Sequence, residues 1–204
     1  MMTVMQNLGT FAQYVLIAAF VQNAVFTRGF GVSRLVKLVG DSAVDSMIFC
    51  ALLTLVQVIS APMAYYANRL LASPQYWYRS YLWPLVCIIC ALLAFFIVLA
   101  FITLVRPRNY KEIIAVLPMA TLNTAVLGPM LISAVQSYNF AQTIGFALGS
   151  GVGYTLAVLI VTEGQHKLNS RKIPGTFRGL PINFLYIGIL VLAFYGLTGH
   201  RIAI

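Results

Sequence analysis

The sequence predicts an all-α integral membrane protein. Six transmembrane helices form a 3+3 inverted repeat, with interrupted first and fourth helices. Three observations predict it. Apolar residues make up 61% of the 204 positions and charged residues only 8%, against about a quarter charged in soluble domains. The apolar residues gather into six runs of about 20, the length that crosses a bilayer. Two of those runs are disturbed at similar places in the two halves, by Asn23, Gly29 and Gly31 and by Asn123, Gly128, Pro118 and Pro129. Interrupted spans at corresponding positions point to a site near the membrane midplane. The reason is hydrogen bonding: backbone freed by a break finds no partner in lipid, so it must be buried in protein or line a cavity. The chain therefore reads as one polytopic domain over residues 1–204, with repeat halves of about 1–105 and 106–204.

Taken in order, the first span runs from about Leu8 to Val32 and is disturbed near Gly29 and Gly31. Met1 to Thr10 carry no basic segment, so no cleaved signal peptide is expected. The second span runs from about Val44 to Tyr66 and the third from about Tyr81 to Val105. Between them, Asn68 to Ser80 holds Tyr76, Trp77 and Tyr78, with Trp83 following, and reads as a headgroup-level segment. The fourth span, about Ile113 to Val135, contains the second break. The fifth, about Ala141 to Thr162, carries Gly145, Gly149 and Gly153 on one face. Small residues at this spacing admit a second backbone, either within the chain or from another subunit. The sixth runs from about Ile182 to Leu197.

The net charge of +9 is not a nucleic-acid footprint, because the basic residues sit in short connections between spans. Arg28, Arg34 and Lys37 follow the first span, Arg106, Arg108 and Lys111 the third, and Lys167, Arg171, Lys172 and Arg178 the fifth. Only Arg69, Arg79 and Arg201 lie elsewhere. The positive-inside rule puts the first, third and fifth connections in the cytoplasm and both termini outward. Three spans per half then force the halves into opposite orientation.

Asn23 and Asn123 have two readings. Each either frames a midplane site at facing half-helices or ties off backbone exposed by its break. Ser33 and Thr124 lie beside the breaks, where a hydroxyl ordinarily bonds a carbonyl one turn earlier. Cys87-Ile-Ile-Cys90 puts two thiols on one helical face. They could ligate a metal, but no second Cys or His pair accompanies them, and buried Cys commonly serves as a small hydrophobe. The acidic residues Asp41, Asp45, Glu112 and Glu163 all fall near span ends. The first three suit the N-termini of the second and fourth helices. No carboxylate relay through the bilayer is visible, and His166 and His200 have no catalytic partner spaced with them.

Four stretches carry a resemblance: Asn23-Ala-Val-Phe-Thr-Arg-Gly-Phe-Gly31, Leu117-Pro-Met-Ala-Thr-Leu-Asn-Thr-Ala-Val-Leu-Gly128, Ile173-Pro-Gly-Thr-Phe-Arg-Gly179 and Leu192-Ala-Phe-Tyr-Gly-Leu-Thr-Gly199. Nearly the whole chain resembles the membrane subunits of the Rnf and Nqr electron-transport complexes, most nearly the RnfA/NqrE type. The resemblance implies a multi-pass subunit in the cytoplasmic (inner) membrane of a prokaryote, within an ion-translocating oxidoreductase. It would pair with an inverted homologous subunit, RnfE/NqrD-like, and work with further electron-transport subunits. In the family each break supplies a cysteine, and the two subunits together hold a 2Fe–2S cluster. Here those positions are Ser33 and Thr124, flanked by Asn23, Gly31, Asn123 and Gly128, and the Pro-Phe that commonly follows the first cysteine is Arg34-Leu35. Hydroxyls are poor substitutes for cluster thiolates. Two expectations follow: a scaffold subunit of such a complex, or a divergent paralogue that has lost the cluster site and acts as a transporter or a purely structural subunit.

Overall fold

Long apolar runs with few breaking residues fold into helices because lipid leaves no other partner for their backbone. In the computed structural model, residues 2–38, 43–71, 79–107, 109–168 and 179–198 are described. Among them every regular element is helical: α1 Met2–Leu16, a π-helical turn Ile17–Val21, α2 Val32–Leu38, α3 Ala43–Leu70, α4 Arg79–Val105, α5 Tyr110–Thr121, α6 Thr124–Val135, α7 Phe140–Leu168 and α8 Leu180–Thr198. Tyr76 to Tyr78, Asp41, Arg108, Arg171, Lys172, the Ile173–Arg178 stretch, His200 and Arg201 lie outside the described residues.

Four helices, α3, α4, α7 and α8, are long and apolar enough to cross a membrane. The pair α5 and α6 makes a fifth span, bent by 44° where the sequence places the fourth span's interruption. The first predicted span differs. Its apolar helix covers only Met5–Val21, and the chain then turns through residues 22–31 before α2. The break therefore begins at Gln22 and Asn23, upstream of the glycines.

The core forms around α3 and α7. The α7 glycines settle the question their spacing raises, because their neighbour lies within the chain. A Cβ at Gly145 would stand 2.7 Å from the Phe11 carbonyl oxygen, and one at Gly153 2.9 Å from that of Ala19. Gly149 meets Val15 between them, so α1 lies backbone to backbone on α7. On the other side Gly151 faces Thr54 and Gln57 of α3. Helix ends are closed locally. Asn139 caps α7 reciprocally: its Oδ1 accepts from the Gln142 N–H (3.0 Å) and its N–H donates to Gln142 Oε1 (2.8 Å). Asp45 and Glu112 fall in the first turns of α3 and α5, where carboxylates suit the helix dipole.

Two sequence placements shift. Trp83 is buried in the core at 7% exposure, not held at a headgroup surface. Arg28 stands apart from Arg34 and Lys37: its charge acts on Tyr138, in the turn between α6 and α7. Burial pushes the Tyr138 phenol up, the nearby Tyr14 adds to that, and Arg28 opposes both. By contrast α8 has 6% of its span buried within the chain. Leu185, Ile189 and Leu192 on it face outward.

Candidate functional site: two helix breaks that meet

The first break is organised by one amide. Asn23 is buried, and its Nδ2 donates to the carbonyls of Ala19 and of Gly153 on α7, both at 2.9 Å. Its Oδ1 accepts from the N–H groups of Val25 (2.9 Å) and Phe26 (3.2 Å). Groups released by the helix end are thus tied off by a single side chain. Gly153 is small where the Asn23 amide lies against it: a Cβ there would come within 3.0 Å of Nδ2. The chain then reverses through Gly29 and Gly31, at φ +69° and +73°, a region that side chains other than Gly seldom enter.

The second break is tighter. The Leu122 N–H closes α5 on the Pro118 carbonyl at 3.1 Å. Asn123 is extended, and its Oδ1 accepts from the Ala125 N–H at 2.9 Å as the cap of α6. Neither proline sits at the break; both lie within the flanking helices. Pro129 has no N–H to donate to Ala125, one turn earlier. That carbonyl is taken instead by Gln57 Nε2 of α3. Sequence reasoning missed Gln57. The signal available was an amide inside an apolar run, but its partner is far away in the chain.

The two breaks join directly. The Gly31 N–H donates to Thr124 Oγ1 at 2.9 Å, and the Tyr154 hydroxyl donates to the Gly31 carbonyl at 3.2 Å. The Phe30 ring lies on Gly128, where any Cβ would collide with it. Asn23, Gly31, Asn123, Thr124 and Gly128 are therefore parts of one junction. Thr124 departs from the back-bonding expected of a helical hydroxyl, although Thr121 beside it follows the habit by donating to the Leu117 carbonyl at 2.9 Å. Tyr154 and Phe30 are further members that the sequence did not single out.

Beside the junction is an open cleft of about 400 Å³. Ser33, Arg34, Lys37, Met119, Leu122, Asn123 and Thr124 line it. Ser33 and Thr124 are thus brought to one cleft, and both are exposed. The Arg34 guanidinium lies over the Phe49 ring, 5.3 Å from its centroid. Cys87 and Cys90 are elsewhere: both are free thiols packed in the core on α4, and neither lines the cleft. Among the described residues no three His, Cys, Asp or Glu side chains gather as a metal site. The cleft presents hydroxyls, an amide and two cations. This donor set does not fit an iron–sulfur cluster, which needs thiolates.

Comparison with known proteins agrees with the junction. The family described as Rnf-Nqr subunit, membrane protein, matches residues 11–200. Among relatives, a subunit of the ion-translocating oxidoreductase complex of Syntrophotalea carbinolica is 39% identical over 93 residues, covering 46% of this chain and 48% of that protein. A subunit of the Na(+)-translocating ferredoxin:NAD(+) oxidoreductase complex of Acetobacterium woodii is 34% identical over 96 residues, 47% of this chain and 50% of that one. A subunit of the Na(+)-translocating NADH-quinone reductase of Idiomarina loihiensis is 33% identical over 93 residues, 46% of each. All three relatives are of the RnfA/NqrE type. The matched stretch spans about half the length of these relatives. With nine-tenths of its length matched and its two interrupted segments meeting at one junction, the chain belongs to the Rnf-Nqr family of membrane subunits.

Proposed function

We propose that this protein is a multi-pass membrane subunit of an ion-translocating oxidoreductase complex, of the RnfA/NqrE type, and acts there as a scaffold. The observation that carries the reading is the family match across residues 11–200. The meeting of the two breaks supports it. The full arrangement is six spans in a 3+3 inverted repeat. In support, the amides of Asn23 and Asn123 each accept from the backbone N–H two residues on. The first span then comprises α1, the π-helical turn and α2.

The protein resides in the inner membrane of a prokaryote with both termini outward. With Arg28 set apart from its group, nine of the 13 basic residues still fall in the first, third and fifth connections. An inverted homologous subunit, RnfE/NqrD-like, packs over the cleft and covers Met119 and Leu122, which are more than half exposed in this chain alone.

This chain supplies no thiolate at the junction, so no electron-transfer step is assigned to its residues there. Its contribution is structural: the breaks hold irregular backbone at depth, and the cleft beside them meets the partner. A pathway for hard cations through this cleft is the poorer reading, because Arg34 and Lys37 line it and oppose cation entry.

The test is deletion in the native host. Loss of the assembled complex and of its redox-driven ion movement is expected, and a fully active complex lacking the chain would overturn the proposal. Low-temperature electron paramagnetic resonance of the dithionite-reduced complex, purified through this chain, addresses the missing thiolates. No cluster signal should depend on Ser33 or Thr124; one that disappears in Ser33→Ala or Thr124→Ala would contradict the ligand assignment.

A further inference from the structure

We propose that the cleft beside the two breaks is an anion site that binds a phosphate ester. Two cationic side chains, Arg34 and Lys37, line it. So do the hydroxyls of Ser33 and Thr124 and the amide of Asn123, and none of the lining residues is a carboxylate. The N-terminus of the 12-residue helix α6 begins at Thr124 on the same wall, so the positive end of its dipole adds to the two charges. A volume of about 400 Å³ exceeds what water alone requires. Met119 and Leu122 give the cleft an apolar edge, which suits an ester whose organic part continues away from the phosphate.

The Arg34 head is also preset. Its stacking over Phe49 at 5.3 Å fixes the guanidinium plane, and a planar fork is what bidentate phosphate recognition uses. The site asks nothing of electron transfer and stands whether or not the scaffold reading holds. Its chemistry fits either the headgroup of an anionic lipid or a soluble phosphate ester, since basic pockets between membrane helices commonly take lipid headgroups.

The experiment uses the full chain, purified in a neutral detergent and examined by native mass spectrometry. Dioleoylphosphatidylglycerol is titrated against dioleoylphosphatidylcholine, and inorganic phosphate is then added as competitor. Wild type should retain the glycerol lipid in preference to the choline lipid, or bind inorganic phosphate. Lys37→Gln should weaken that binding about five-fold, and Arg34→Gln with Lys37→Gln about 25-fold, at roughly 1 kcal/mol per basic residue. Arg69→Gln, an exposed cation far from the cleft in sequence and absent from its lining, should leave it unchanged. Retention that phosphate does not displace assigns the site to lipid; displacement at low phosphate assigns it to a soluble ester. Lys37 is exposed, so its variant decides the matter alone should loss of Arg34 from Phe49 unfold the chain. Equal binding by wild type and Lys37→Gln, an equal loss in Arg69→Gln, or no binding of either probe by wild type would overturn the proposal.

Discussion

The two breaks solve one problem in different ways. The first spreads its turn over residues 22–31, uses two glycines at positive φ, and leans on a single amide with four hydrogen bonds. The second bends by 44° between Thr121 and Thr124, needs no residue of positive φ there, and divides its hydrogen bonding among Asn123, Thr124 and Gln57. The first break depends on backbone geometry and concentrates its support, so one substitution should ruin it. The second is braced from several helices and should tolerate any single loss better.

The largest effect is expected at Gly31. Its φ of +73° already disfavours a side chain, and a Cβ would also stand 2.6 Å from the Tyr154 ring and 3.0 Å from Asn123 Oδ1. Gly31→Ala adds left-handed strain to overpacking and should cost about 2–4 kcal/mol. Gly29 has nearly the same φ, +69°, but nothing lies within 4 Å of where a methyl group would stand. Gly29→Ala should cost only the strain, about 1–2 kcal/mol. Thermal unfolding of the two detergent-purified variants separates the contributions; equal melting midpoints would show that contact at Gly31 adds nothing.

The asparagines test the contrast next. Asn23→Ala removes a cap and a bond to α7, and should cost about 2–3 kcal/mol. Asn123→Ala removes one cap bond to Ala125 and should cost about 1 kcal/mol. Equal losses in unfolding experiments would mean that the two breaks share their load alike, against the hydrogen-bond pattern.

How far the sequence disclosed these breaks depends on the range of the interaction. Asn23 and Asn123 were legible because an amide in an apolar run must find a partner. Gly31 and Gly128 were legible because a break requires small residues. The α7 glycines announced a close backbone contact, and only folding could identify α1 as its other side. The exact end of the first helix was not legible: Gly29 and Gly31 are the conspicuous breakers, yet Asn23 ends the helix by capturing its carbonyls. The prolines misled in the same manner. Pro129 breaks nothing, since Gln57 replaces its missing donor. The cleft was illegible as well, because Arg34 and Lys37 read as orienting charges until Ser33 and Thr124 are brought beside them.

The Gln57 replacement can be isolated. Gln57→Leu leaves the Ala125 carbonyl without its side-chain donor and should cost about 1–3 kcal/mol. Pro129→Ala restores a backbone N–H one turn away, so in that background the same Gln57→Leu should cost less than about 1 kcal/mol. A double-mutant cycle on unfolding free energies reads the coupling; strictly additive losses would show that Gln57 does not compensate for the proline.

Thr124 offers the finest comparison, because its hydroxyl joins one break to the other. Thr124→Val keeps the shape but deprives the Gly31 N–H of its acceptor, and should cost about 1 kcal/mol. Thr124→Ser keeps the oxygen and should recover most of that loss. Hydrogen exchange at the Gly31 amide reports the bond itself: protection should fall in Thr124→Val and return in Thr124→Ser. Unchanged exchange in both would mean that Tyr154 and the Phe30–Gly128 contact hold the junction alone, and that the two breaks are braced by packing and not by the hydroxyl between them.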